Sequence, residues 1–572
     1  MHKSVWIFLG LMGGVLSGLS QNAAGPGEGT PSKTPLQEAI LSATKASRAP
    51  MFNGPRLVGV RLGTPLAQAL SVSGDRPMTF VAIRIPEGLT IDPKSGTIVG
   101  KLVKRGEYTV SVRAANPQGE AQADLKIVAG ETIALTPPMG WNSYDAYGDG
   151  VNEAEFLANA EWLKDNLQPY GYDTVVIDFR WWDPDAQSGR PVRQMEGTVN
   201  DVTDGFGRLQ PAISRFPSAG GGRGFKPLAE KIHGMGLKFG IHIMRGIPRH
   251  AVKADKPIVG STFSAGDAAM PEGDPNRLCP WCVDMYGVRG DTPAGEAWYR
   301  SIVQQYAEWG VDFIKADDMS SLFSFKPDVS GSSPYAGTEI AALQKAILAS
   351  GRSIVLSLSP GATPLNQAGH VARNANLWRI SADFWDEWDP LNKDLSLLVD
   401  WSRSGASGQG HWPDGDMLPI GILSLGGSPV GAERQTRFTV DEQLTLLTAW
   451  CMAPSPLMIG ACLPRCDDWT KALLTNPEVL AVNQDSLGAP MRRLAEESRA
   501  FDAWIKPLAG GGFALALINR SGVPVKAEFP LGELGLGSTP AVRDLWPRLD
   551  LGRLGKISRE LPPHGCAMFR IG

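Results

Sequence analysis

VDFIKADDM, residues 311–319, decides the fold. It is a short apolar run that ends in a cluster of ionisable side chains. Side chains alternate along a strand, so Lys315 and Asp317 share one face, while Ala316 and Asp318 share the other. An inward Lys315 beside Asp317 would keep that carboxylate ionised, as a nucleophile requires, and Asp318 is then a supporting or a helix-facing group. Just upstream, AGEAWYRSIVQQYAEWG (294–310) carries apolar residues three and four apart and reads as an amphipathic helix. One strand with a charged carboxyl end, preceded by a helix, is the repeating unit of an α/β architecture.

Outward from this unit the same alternation continues. Strands are expected at 138–143 (PMGWNS), 174–179 (TVVIDF), 237–243 (LKFGIHI), 353–359 (SIVLSLS), 377–383 (LWRISAD), 411–417 (HWPDGDM) and 454–460 (PSPLMIG). Helical stretches separate several of them, including 152–167, with Asn152 as its cap, and 442–453. Eight strands in this order predict a (β/α)8 barrel with long loops. A doubly wound sheet is the alternative, but no glycine-rich phosphate loop follows the first strand.

The flanks differ in character. Residues 1–20 have a basic start, an apolar run and a small-residue exit, the order of a secretory signal, so a secreted or periplasmic location is expected. Residues 21–50 read as a linker with a short helix, and 51–130 as an Ig-like β-sandwich resembling modules attached to bacterial secreted enzymes. The barrel is assigned 131–490, and 491–572 a C-terminal antiparallel β-sandwich. Of the six cysteines, Cys279 with Cys282 and Cys462 with Cys466 are expected as local loop disulfides. Cys451 and Cys566 are expected as buried thiols or one long-range bridge.

The 572 residues hold 55 Lys+Arg against 59 Asp+Glu, a net charge of −4, which offers no basic field for nucleic acid and no polybasic stretch for a membrane surface. The 7 His form neither HxH nor HExxH, so no metal and no cofactor is expected. The 17 Trp suggest platforms for an uncharged ligand, sugars among them. Trp141, Trp181, Trp182, Trp378 and Trp412 lie on or beside predicted strand ends. The oligomeric state is not legible.

In a barrel the carboxyl ends of the strands line the active face. Read in order they carry Trp141 and Asn142, Asp178, His242 and Arg245, Lys315 and Asp317, Arg379 and Asp383, then Asp414 and Asp416. Four strand ends with carboxylates on one rim are costly as structure alone. Two carboxyls of opposite role, without a metal motif, suit glycoside hydrolysis.

PPMGWNSYDAYG, FIKADDM, LWRISAD, HWPDGDMLPIG, DEQLTLLTAWCMAPSPLMIG and LLTNPEVLAVNQDSLG resemble, in order, the blocks of glycoside hydrolase family 27, the α-galactosidases and α-N-acetylgalactosaminidases. The resemblance implies a retaining exo-α-glycosidase on a neutral oligosaccharide or polysaccharide, α-galactosidase first, with Asp317 as nucleophile and Asp383 as general acid/base. It also implies sugar contacts from Trp141, Asp178, Lys315 and Arg379, with Asp414 and Asp416 supporting. His242 and Arg245 are added as candidates for a different subsite, and Trp182 as a substrate-binding platform. Galactose-acting members usually carry two adjacent acids after the second strand; here the pair is Asp178–Phe179. That departure opens action on an α-glucan, an α-N-acetylgalactosaminide or a β-L-arabinopyranoside. The alternative from another class is a non-catalytic carbohydrate-binding protein.

Overall fold

The computed structural model describes residues 33–44, 47–186, 202–278, 284–320, 335–359, 361–426, 431–494, 500–536 and 539–572. The expected signal and the Cys279/Cys282 pair lie outside them. Eight parallel strands form the centre: β1 (Met139–Asn142), β2 (Thr174–Ile177), β3 (Lys238–Met244), β4 (Phe313–Asp317), β5 (Val355–Leu358), β6 (Leu377–Arg379), β7 (Trp412–Asp414) and β8 (Leu457–Ile459). Each pairs with its neighbour in chain order, and β8 lies beside β1. Between β7 and β8 the ring is closed by one parallel bridge, Leu418 with Ile459. There the Leu418 N–H donates to the Met458 carbonyl at 2.7 Å.

A helix follows every strand: α1 (Glu153–Asn166), α2 (Lys226–Gly234), α3 (Pro293–Trp309), α4 (Gly337–Ala349), α5 (Ala368–Asn374), α6 (Trp388–Ser402), α7 (Val440–Met452) and α8 (Asp468–Leu474). Local chemistry sets their ends. Asn152 caps α1 in a reciprocal box with Glu155, and Thr439 does the same for α7 with Glu442. Thr292 caps α3, Pro293 opens it, and Gly310 ends it at φ 90°, a conformation that favours glycine.

The period-two alternation divides the strands into two cores. Outward residues such as Ile177, Ile241, Ile314, Leu356 and Trp378 join the helices in one continuous apolar layer. Burying each large aliphatic there contributes about 1.5–3 kcal/mol. Inside the ring a small cluster of Val176, Phe313, Leu377, Met417 and Met458 fills the lower barrel. Above it, towards the carboxyl ends, the inward positions turn polar.

The N-terminal module packs a four-stranded sheet (Leu57–Arg61, Gly119–Gly130, Gly106–Asn116, Thr79–Arg84) against a three-stranded one. Its first strand pairs in parallel with Gly119–Gly130, so the module is a mixed sandwich rather than a wholly antiparallel one. It sits on the barrel face where the strands begin. Thr64 Oγ1 meets Ser353 Oγ at 2.8 Å, just before β5, and Asn53 donates to the Pro169 carbonyl at 3.0 Å, ahead of β2. The short helix Pro35–Ala43 is not a free linker: Ile40 is buried in the barrel's outer core.

The C-terminal unit is a six-stranded antiparallel sheet faced by the antiparallel strand pair Val525–Pro530 and Lys556–Leu561, with no long helix among the described residues. It is tied to the barrel by Trp546, whose indole N–H donates to Thr448 Oγ1 at 2.9 Å. The bridge expected between Cys462 and Cys466 does not form, because their side chains diverge: Cys462 Sγ meets the Tyr147 hydroxyl, while Cys466 Sγ turns to the Cys462 carbonyl. Cys451 and Cys566 are free buried thiols. Among the described residues no helix is long and apolar enough to cross a membrane.

Candidate active site

The carboxyl ends of the strands surround a cavity of about 190 Å³, smaller than the ~300–1,000 Å³ typical of drug-sized sites. Tyr144, Asp145, Asp178, Phe179, Lys315 and Asp317 lie along one side of its wall, and Arg379, Asp383, Phe384, Trp385, Asp416 and Met417 along the other.

On the first side Asp178, Lys315 and Asp317 are each held by hydrogen bonds. Asp178 Oδ2 accepts from Asn142 Nδ2 at 2.6 Å and from Lys315 Nζ at 2.9 Å, while Oδ1 accepts the Phe179 N–H. Burial alone would raise the pKa of this carboxyl, but the Lys315 ammonium and these hydrogen bonds outweigh it, so Asp178 stays well below the usual carboxylate range. Lys315 is held firmly protonated: the surrounding carboxylates, Asp178 foremost, overcome its own desolvation. The direct partner of Lys315 is therefore Asp178, not Asp317.

Asp317 is held by different groups. Its Oδ1 accepts the Asp318 N–H at 2.7 Å, and its Oδ2 meets His242 Nε2 at 2.9 Å. A carboxylate accepts, so His242 donates from Nε2. Its Nδ1 is buried without a partner among the described residues, which suits the tautomer whose Nδ1 carries no proton. The imidazole is fixed edge-to-face against Phe179, with centroids 5.3 Å apart, and stacks under Trp182. Behind Asp317, Arg245 lies outside the pocket wall, bound to Asp318 and Glu339, both at 2.9 Å.

The second side is anchored by Asp416. Arg379 contacts Asp416 at 2.6 Å and Asp383 at only 3.4 Å. Asp416 also accepts the Phe384 and Met417 N–H groups, which fixes the loop carrying Asp383. Burial pushes Asp416 up to about 6, despite Arg379 beside it. Asp414 stands behind, accepting the Asp416 N–H at 2.9 Å.

This arrangement of carboxyls on a (β/α)8 rim is met by three sets of comparisons. Family models match residues 290–485 as alpha galactosidase A, 498–571 as the alpha galactosidase C-terminal beta sandwich domain, and 49–129 as an Ig domain. A GH27-β-L-arabinopyranosidase from Geobacillus stearothermophilus is 43% identical with a TM-score of 0.70, covering 77% of this chain and 97% of that one. The chain belongs to glycoside hydrolase family 27. Alpha-galactosidase 2 of Arabidopsis thaliana is 28% identical, over 77% of this chain and 90% of that protein. The α-N-acetylgalactosaminidase of Gallus gallus is 27% identical, over 72% and 87%.

In this family 27 glycoside hydrolase the expected tryptophan platforms are absent from the pocket. Trp141, Trp181, Trp182, Trp378 and Trp412 are all fully buried. Trp141 projects outward from β1 and donates to the Ala461 carbonyl, and Trp181 donates to the His242 carbonyl. The pocket's aromatic wall comes instead from Tyr144, Phe179, Phe384 and Trp385. Of the pair read at this strand end, it is Asn142 that turns inward and binds Asp178. Asp145 was also missed; it lines the wall, and burial raises the pKa of its carboxyl well above the ordinary value.

Proposed function

We propose that this enzyme removes terminal β-L-arabinopyranosyl units from neutral glycans with retention, and hydrolyses α-D-galactosides more slowly. The two sugars share ring stereochemistry and differ by the hydroxymethyl group that galactose carries at C5. Phe179 carries the reading. It lies in the wall beside Asp178, packed edge-on against Trp182 and His242, and offers no acceptor for a sixth-carbon hydroxyl. An apolar edge suits a ring methylene. The 43% identity to an arabinopyranosidase supports the same order. Galactose, placed first by the motifs, moves to second on this one residue.

In this reading Asp317 attacks the anomeric carbon while Asp383 protonates the leaving oxygen. Water, deprotonated by Asp383, then cleaves the glycosyl ester. His242 is a positioning residue that aims Asp317, and the Asp178–Lys315 pair receives ring hydroxyls. Arg379 and Asp416 hold the acid/base loop. The order of residues 1–20 supports export, and an exported Cys279–Cys282 pair suits a local bridge.

The test is kcat/KM on aryl β-L-arabinopyranoside and aryl α-D-galactoside. A preference of about tenfold for the arabinoside is expected, the low end of the range by which one methylene changes specificity in an apolar pocket. Phe179→Asp should narrow or reverse it. Equal or better turnover of the galactoside restores galactose to first place, and turnover of neither sinks the exo-glycosidase reading.

A further inference from the structure

The proposed chemistry uses the pocket up to Asp383 and leaves the next residues without a role. The chain there alternates: Asp383 is exposed, Phe384 buried, Trp385 half-buried and Asp386 buried. Phe384 is pinned twice, through its N–H to Asp416 and through ring contacts to Phe438 and Trp450. Asp386 is pinned by Arg434, which donates from Nε at 3.0 Å and from Nη2 at 2.6 Å, and by the Arg437 N–H at 2.8 Å. Trp385 is thus suspended between two fixed points, and it borders the same pocket as Asp383.

The indole is also backed. The Arg434 guanidinium lies over its ring, 5.9 Å from the centroid, and Arg434 is itself held by Asp386 and by Ser424 Oγ at 3.0 Å. A half-exposed tryptophan with a cation behind it is a stiff, flat surface that costs little ordering entropy when a ligand lies on it. Its place in the chain matters more. Asp383 must reach the oxygen that leaves, so the departing group lies on the solvent side of Asp383. Trp385 is the aromatic two residues along, at the same rim.

We propose that Trp385 is the platform of a leaving-group subsite that takes the face of a neutral pyranose. The inference rests on the assignment of Asp383 as acid/base, and extends it from the sugar that is cut to the sugar that departs. The natural substrate is accordingly a glycan in which the terminal unit is linked to another sugar ring.

The test compares two substrates that share the same terminal sugar. One is a disaccharide, and the other is the glycosyl fluoride, whose leaving group has no ring to stack. Trp385→Ala should lower kcat/KM on the disaccharide about tenfold, within the range of a lost aromatic stacking contact. The fluoride should change by less than about twofold, and Trp385→Phe should keep most of the disaccharide activity. Thermal melting of each variant establishes that it is folded. Equal losses on both substrates, no loss on either, or wild-type turnover of the fluoride alone would each overturn the subsite while leaving the glycosidase intact. Wild-type inactivity on both substrates overturns the glycosidase reading, and the subsite with it.

Discussion

The two carboxyls proposed to act in this pocket are built in opposite ways. The Asp317 side chain is 11% exposed, and both its oxygens are occupied, by His242 and by the Asp318 N–H. The Asp383 side chain is 65% exposed and has one long contact, 3.4 Å to Arg379. The first arrangement suits a group that must hold one position while it attacks. The second suits a group that must take a proton from water and return it every cycle. In the proposed reading, rigidity falls on the carboxyl that forms a bond and access on the carboxyl that trades protons.

Breaking the rigid side gives the largest effect. Asp317→Ala should lower kcat on the order of 10⁶-fold, and azide should partly restore turnover with an inverted product. Full activity would point to Asp318. On the open side, Asp383→Ala should cost about 10²–10⁴-fold on a disaccharide and much less on a dinitrophenyl glycoside, whose leaving group needs no proton. A loss independent of the leaving group would remove Asp383 from the acid/base role.

The comparison sharpens at His242. Without its Nε2 donor, His242→Phe should lower kcat up to about 10²-fold with KM little changed, the cost of a misaimed nucleophile. His242→Gln, which keeps an N–H donor, should recover part of that. If KM rises instead, His242 contacts the sugar and does not act through Asp317.

The smallest effect lies behind Arg379. Asp394 on α6 is buried, its Oδ2 has no partner among the described residues, and burial pushes it up to about 7. A carboxyl raised in the folded state contributes stability below its ordinary value of 3.8 and loses it as pH rises through about 7. Asp394→Asn should therefore match the wild type at pH 4 and melt about 2–4 °C higher at pH 8. A constant difference at both pH values would show that charge is not the cause.

The eight strands were legible because each is an apolar run with a polar end, and that pattern survives any loop length. Alternation put Lys315 and Asp317 on one face of their strand and Arg379 on the same face as Asp383, while Asp178 and His242 were read from their places at strand ends. Two things were not legible. Trp141 reads as a strand-end platform until the register is known; one residue of register separates it from the inward face, and it packs against Tyr147 and Phe156. Which cation holds which carboxylate depends on distances across the ring. Lys315 is two residues from Asp317 in sequence, yet it bonds Asp178 from the neighbouring side of the barrel. Trp385 lay outside every motif, since its position depends on the burial of Phe384 and Asp386 on either side.

The N-terminal module covers the face where the strands begin, and the pocket opens where they end. The molecule therefore has two poles, a plugged base and an open mouth. Any support that gripped the module would leave the mouth directed away from it.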